Sequence, residues 1–259
     1  MTRRLLNIIK NKIYTGLLLI ILILVWQLIS SLELVPAFML PSPVNVVRAF
    51  VNNISDLLYN STISLSEGFA GLFLGIVIAF LLAVLMDSSK FLYRATYPLL
   101  IITQTIPVIA IAPLLVLWFG FGAAPKIILV FIVCFFPISI GLLDGFKNSD
   151  ADAINLLKAM GASKLQIFRH IKWPYALGGF FSGLKISVSY SVVGAVIAEW
   201  LGGNDGLGVY MTRVRKGYAF DKMFAVILLI IIISLLLMWL VGFIERLAMP
   251  WKKYEKVIK

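Results

Sequence analysis

The sequence predicts an all-α integral membrane protein with six transmembrane helices. Three observations carry that prediction. Of 259 residues, 61% are hydrophobic and 14% charged, whereas a soluble domain is about half apolar and a quarter charged. Uncharged or nearly uncharged runs near the ~20 residues that cross a hydrocarbon core recur six times. The basic residues flank these runs. Residues 1–259 therefore read as one membrane domain, with no stretch left for a separate soluble one.

The first span is Ile13 to Ser31, with no charge. It is too long for a signal-peptide core and no small-residue cleavage site follows, so it reads as a retained anchor; Arg3-Arg4 alone is no twin-arginine signal. The second covers about Ile63 to Met86. The third lies within the uncharged stretch Ala95 to Pro125, where Pro107 and Pro113 are expected to break it. The fourth is Ile127 to Leu143, the fifth about Tyr175 to Trp200, and the sixth Met223 to Ile244.

Orientation follows from Lys and Arg. With both termini in the cytoplasm, sixteen basic residues fall on inner segments and six on outer ones, Arg48, Lys126, Arg213, Arg215, Lys216 and Lys222. Trp26, Trp118, Trp200 and Trp251 fall near span ends, as an aromatic belt requires. Gly71 with Gly75 and Gly179 with Gly183 allow close helix approach, expected within the chain rather than at a dimer seam.

The longest inner segment, about residues 144–173, reads as helix, turn, helix. Ser149 or Asp150 can cap a first helix ending near Met160, and Gly161 suits the left-handed position after it. Ser163 with Gln166 fits a capping box. Pro174 is expected to mark a turn into the fifth span. Leu156, Leu157, Met160, Leu165, Phe168 and Ile171 recur at roughly helical spacing. A helix pair resting on its own bundle and a docking knob for a partner both fit that spacing.

Gly161-Ala162-Ser163, followed by Ile171 and Pro174, resembles the ATPase-contacting loop of ABC importer permeases. Where that family usually has Glu-Ala-Ala, this chain has Asn155-Leu156-Leu157. Pro107 to Leu114 ending in Trp118-Phe119-Gly120, Leu40-Pro41-Ser42-Pro43, and Ala198-Glu199-Trp200 with Gly206-Leu207-Gly208 resemble the nitrate, taurine and aliphatic-sulfonate branch. Together the similarity covers about Leu34 to Trp251.

The resemblance implies a type I ABC importer permease-like fold in the bacterial cytoplasmic (inner) membrane. It implies a homodimer, two ATP-binding cassette ATPase subunits that bind ATP and Mg, and an extracytoplasmic solute-binding protein. The cargo would be a small solute, a sulfonate- or nitrate-like ion or a thiamine-precursor pyrimidine. ATPase coupling would fall to Leu156, Leu157, Met160, Gly161, Ala162, Ser163, Phe168 and Pro174.

Inside the spans, Lys185 lies ~16 Å along the fifth helix from Pro174. A cation at that depth is costly unless paired or hydrated. Glu199, fourteen residues on, points the same way and is expected at the outer interface. Ser182 and Ser189 lie close to that face. Gln104, between Thr103 and Thr105, precedes the proline break. Gln104, Lys185, Ser189 and Glu199 are candidates for a translocation path, with hydrogen bonds that fix helix packing as the alternative.

The net charge of +11 could suggest nucleic acid, but the cations follow the spans and form no soluble basic face. One cysteine, Cys134, permits no disulfide framework. One histidine, His170, beside Arg169 and Lys172, argues against a metal centre. No phosphate loop and no catalytic constellation occurs, so the chain itself is expected to hydrolyse nothing and to hold no cofactor. An ion-gradient-driven secondary transporter is the alternative. It would need an ionisable relay and usually inverted repeats, and only Lys185 lies deep.

Overall fold

A computed structural model of the chain describes residues 2–36 and 38–251, with residues 2–12 described by backbone alone. The expected inner basic residues Lys252, Lys253, Lys256 and Lys259 lie outside the described residues, as do the side chains of Arg3, Arg4, Lys10 and Lys12.

The described chain is helical. α1 (Thr2–Ser31) carries the first apolar run. α2 (Pro43–Asn52) is short; the Ser42 side chain accepts from the Asn45 N–H at 3.2 Å, and Pro43 opens the first turn, where its missing N–H costs nothing. α3 (Ile54–Ser88) follows, then α4 (Lys90–Thr103), capped by Ser89, and α5 (Val108–Phe119). α6 (Ala123–Lys147), α7 (Ala151–Ala159) and α8 (Lys164–Ile167) lead into a π-turn at Phe168–Lys172. α9 (Trp173–Glu199), α10 (Leu207–Lys216) and α11 (Phe220–Ala248) complete the order.

Five helical runs among the described residues are long and apolar enough to cross a membrane, and α4 with α5 forms a bent pair at 97°. Counting the pair as one crossing gives the expected six. The break in this third span differs from expectation. Pro107 sits at the start of α5, but Pro113 lies inside α5 and Pro98 inside α4. A proline interrupts a helix only where no neighbour or local adjustment satisfies the freed carbonyl, and residues 104–107 alone leave helical geometry here.

The chain divides into two compact clusters. Met1–Leu58 with Tyr210–Leu229 form one, and Tyr59–Val209 with Ile230–Lys259 the other. In the first, Trp26 of α1 donates its indole N–H to the Pro41 carbonyl at 3.1 Å, and its ring lies 5.9 Å from Phe224 of α11.

The second cluster is built on the α6–α9 seam. A Cβ on Gly179 would run into the Gly141 carbonyl, and one on Gly183 into the Pro137 carbonyl. These positions must stay without side chains for the two backbones to approach this closely. Just beyond, the Ser187 hydroxyl donates to the Cys134 carbonyl at 2.8 Å, and the Cys134 thiol donates to the Ser187 carbonyl. Gly71 meets Val130 and Gly75 meets Cys134. Both expected glycine pairs thus pack helices of the same chain. The core here joins Leu72, Ala79, Val130, Ile138, Leu142 and Ala176, all buried.

Candidate functional site

Two regions of the second cluster bring the predicted residues together. The first is the helix pair between α6 and α9. Asp150, not Ser149, caps α7: its carboxylate accepts from the Asp152 and Ala153 N–H groups. Gly161 has φ +81°, which favours glycine. The Gly161 N–H donates to Lys158 and the Ala162 N–H to Leu157, the double bond of a Schellman motif. Ser163 and Gln166 form the capping box, each side chain bonding the other's backbone N–H. Local chemistry therefore holds α7 and α8 in one geometry.

The apolar residues of this segment divide between two faces. Leu156, Leu165 and Met160, the last 73% exposed, stand open. Ile167 and Ile171 are buried, and the Phe168 ring packs 5.6 Å from Phe146 of α6. Leu157 and Ala162 are half-buried. Phe168 thus lies on the bundle side, not on the open face.

Pro174 makes no turn. α8, the π-turn and α9 form one continuous run, Lys164–Glu199. The wide π-turn, in which the Trp173 N–H reaches back to the Phe168 carbonyl, places Pro174 in the first turn of α9, where fixed φ is helical and the absent N–H is tolerated. Lys172, in that turn, donates to both carboxylate oxygens of Asp87 near the end of α3, each at 2.7 Å.

The second region is the polar interior of the spans. Lys185 pairs with Glu245 of α11, and Gly242, one turn before that glutamate, leaves room for the lysine stem. Glu199 is enclosed by protein, 1% exposed. One oxygen accepts from the Ser64 hydroxyl and the other from the Gly208 N–H, both at 2.6 Å. The Leu207 N–H donates to Ser64 Oγ at 2.9 Å, and the Gly206 N–H to Asn60 Oδ1 at 3.0 Å. Asn60, Ser64 and Glu199 thus satisfy the first amides of α10, which have no acceptor of their own. Gly206, at φ +124° and pressed on the Glu199 carboxylate, admits no side chain.

Lys185 and Glu199 bond to different elements. Lys185 turns to α11 and Glu199 to α3 and α10, about 21 Å apart along the helix. Ser182 spends its hydroxyl on the Gly178 carbonyl. The Ser189 hydroxyl is buried and has no hydrogen-bond partner among the described residues. Gln104 is exposed at the α4–α5 bend, between Thr103 and Thr105, whose hydroxyls bond back to Leu99 and Ile102.

A buried pair escaped the sequence reading. Lys126, counted as an outer-segment cation, donates to Glu67 of α3 at 2.8 Å, and both side chains are under a tenth exposed. The available signal was Asn60, Ser64 and Glu67 in an apolar helix at i, i+4 and i+7. Three polar groups on one helical face inside a membrane require partners.

The family described as binding-protein-dependent transport system inner membrane component matches residues 71–249. A probable ABC transporter permease of Haemophilus influenzae is 37% identical over 230 residues, 88% of this chain and 94% of its own. The formylaminopyrimidine transport permease of Halalkalibacterium halodurans is 35% identical, covering 92% and 96%. Among solved structures, an inward-facing conformation of the MetNI methionine ABC transporter aligns with TM-score 0.65 at 23% identity, over 74% of this chain and 96% of that one. A second, an amino acid ABC transporter, aligns with TM-score 0.64 at 14% identity, covering 76% and 95%.

Proposed function

The chain belongs to the family of binding-protein-dependent transport system inner membrane components, and from that premise we propose how it works: ATPase motion enters through the open face of α7 and α8 and leaves along α9. It is a multi-pass membrane permease subunit of an ABC importer, a transport subunit and not an enzyme.

One observation carries the coupling proposal. Leu156, Met160 and Leu165 stand exposed on a pair of helices that capping makes rigid and that continues unbroken into α9. An apolar face held this firmly suits a groove on a soluble partner. ATP and Mg are taken to bind that partner, an ATPase subunit, and not this chain. Two copies of the chain would enclose the path, with a solute-binding protein delivering cargo on the far side. Both termini would face the cytoplasm, and residues 1–259 would work as one permease domain.

The test is uptake in vesicles carrying permease, ATPase and binding protein. Leu156→Asp with Met160→Asp should reduce ATP-driven uptake at least about tenfold while the amount of inserted permease is unchanged. Uptake that ignores both changes, or that survives ATP depletion and collapses with an ionophore, would favour the ion-gradient alternative.

For cargo, we infer a thiamine-precursor pyrimidine. The support is the 35% identity to a formylaminopyrimidine permease over nearly its whole length, against 30% to a putative aliphatic sulfonates permease of Bacillus subtilis. Ligand screening of the partner binding protein by thermal shift checks it; stabilisation by a sulfonate or nitrate instead would displace it.

Lys185 and Glu245 are the candidate charged groups of the path, since the pair sits in the spans with the lysine about a third exposed. Ser189 and Gln104 stand with them, and Glu199 belongs to the support of α10. Lys185→Ala should lower uptake while insertion stays normal; unchanged transport would exclude a role in the path.

A further inference from the structure

We propose that the first cluster holds a phospholipid headgroup bearing a primary amine, its phosphate toward Arg48 and Lys222 and its ammonium toward Asp221. The site is a cavity of ≈ 530 Å³ where α2 meets the start of α11. Arg48, Lys222 and Asp221 line it with Asn45, Asn52 and Asn53. The volume falls in the range of small-molecule sites.

Depth identifies the ligand class. Pro41, on the wall of the cavity, accepts the indole N–H of Trp26. Tryptophan settles at headgroup level. α1 ends at Ser31 and α11 begins at Phe220, so the cavity lies beside the ends of two apolar helices, where headgroups are expected. The rim agrees. Val44, Val47 and Val51 lie at i, i+3 and i+7 on one exposed face of α2, while Val46 and Ala49 on another face are buried. A short helix with an open apolar stripe beside a polar cavity suits the boundary between headgroups and acyl chains. Facing water, the stripe would be unfavourable.

Charge narrows the class. Two cations match a phosphodiester, which Arg binds through paired donors. One carboxylate beside them would repel a second negative group and would attract an ammonium. Among the described residues no ion pair joins Arg48, Lys222 and Asp221 to one another, so their charges are available to a ligand. The amides of Asn45 and Asn52 can serve ester and glycerol oxygens, while that of Asn53 donates to the Ala49 carbonyl at 2.7 Å. A zwitterionic phosphate–ammonium headgroup meets each of these groups. The assignment needs only that the chain crosses a bilayer; transport activity is a separate readout.

The test is native mass spectrometry of the full chain, released from bilayers of phosphatidylethanolamine, phosphatidylcholine or phosphatidylglycerol alone. The wild type should retain phosphatidylethanolamine in preference to the other two. R48A with K222A should weaken that retention about tenfold or more, R48K with K222R should largely restore it, and D221N should erase the preference over phosphatidylcholine. Equal retention of all three lipids by the wild type would overturn the proposal, and that comparison stands even if a variant fails to fold. Retention untouched by R48A with K222A would overturn it too. So would stabilisation by inorganic phosphate equal to that by the lipid, which would mark a simple anion cavity.

Discussion

Glu199 bonds two elements at once: α3 through the Ser64 hydroxyl, and the start of α10 through the Gly208 amide. Removing it leaves the buried Gly208 amide without an acceptor, at about 1–3 kcal/mol, and leaves the Ser64 hydroxyl only its longer bond to the Asn60 carbonyl at 3.3 Å. Glu199→Ala is therefore expected to lower the unfolding midpoint in detergent clearly, and Glu199→Gln, which keeps one acceptor oxygen, to lower it less. Equal midpoints for Ala and wild type would show that the cradle carries no stability. Such residues were only half legible in the sequence. A carboxylate at the end of an apolar run looks inexpensive because water is assumed near. Only the fold shows that α3 delivers Asn60 and Ser64 to it. The Lys126 pair is not legible for a related reason: its partner Glu67 lies 59 residues away, and no local pattern names a partner at that range.

At the scale of elements, local chemistry was readable and long-range geometry was not. The Gly161 turn and the Ser163–Gln166 box appear where the residue types require them, because each is decided within a few residues. The third span's bend and the continuity of α8 with α9 were not readable. A proline restricts one torsion and removes one donor, but whether the helix breaks depends on what its neighbours supply. The α6–α9 seam lies between these cases: the glycines were visible, their facing carbonyls were not. Gly179→Leu is expected to force the two helices apart. Loss of folded permease from the membrane, read by detergent-resistant monodispersity, checks this. A well-behaved, active Gly179→Leu protein would mean that the backbones do not meet there.

Across the whole molecule, span number followed from apolar length alone, because a bilayer of fixed thickness demands it. Orientation rests on the basic-residue bias and is open to direct measurement. Native Cys134 is buried, so an introduced cysteine can be labelled over a low background. Ser163→Cys should react only when reagent reaches the cytoplasm, and Asp205→Cys, at the other end of α9, from outside. The reverse pattern would invert the molecule. The unbroken run from Lys164 to Glu199 then has a mechanical meaning. Its 36 residues make a rod of about 54 Å, at 1.5 Å per residue, well over the ~30 Å hydrocarbon thickness. Pivoting such a rod by about ten degrees about its foot sweeps the opposite tip through roughly 9 Å. Under the proposed coupling, a modest push at one end of the rod would thereby be geared up into a wide aperture at the other.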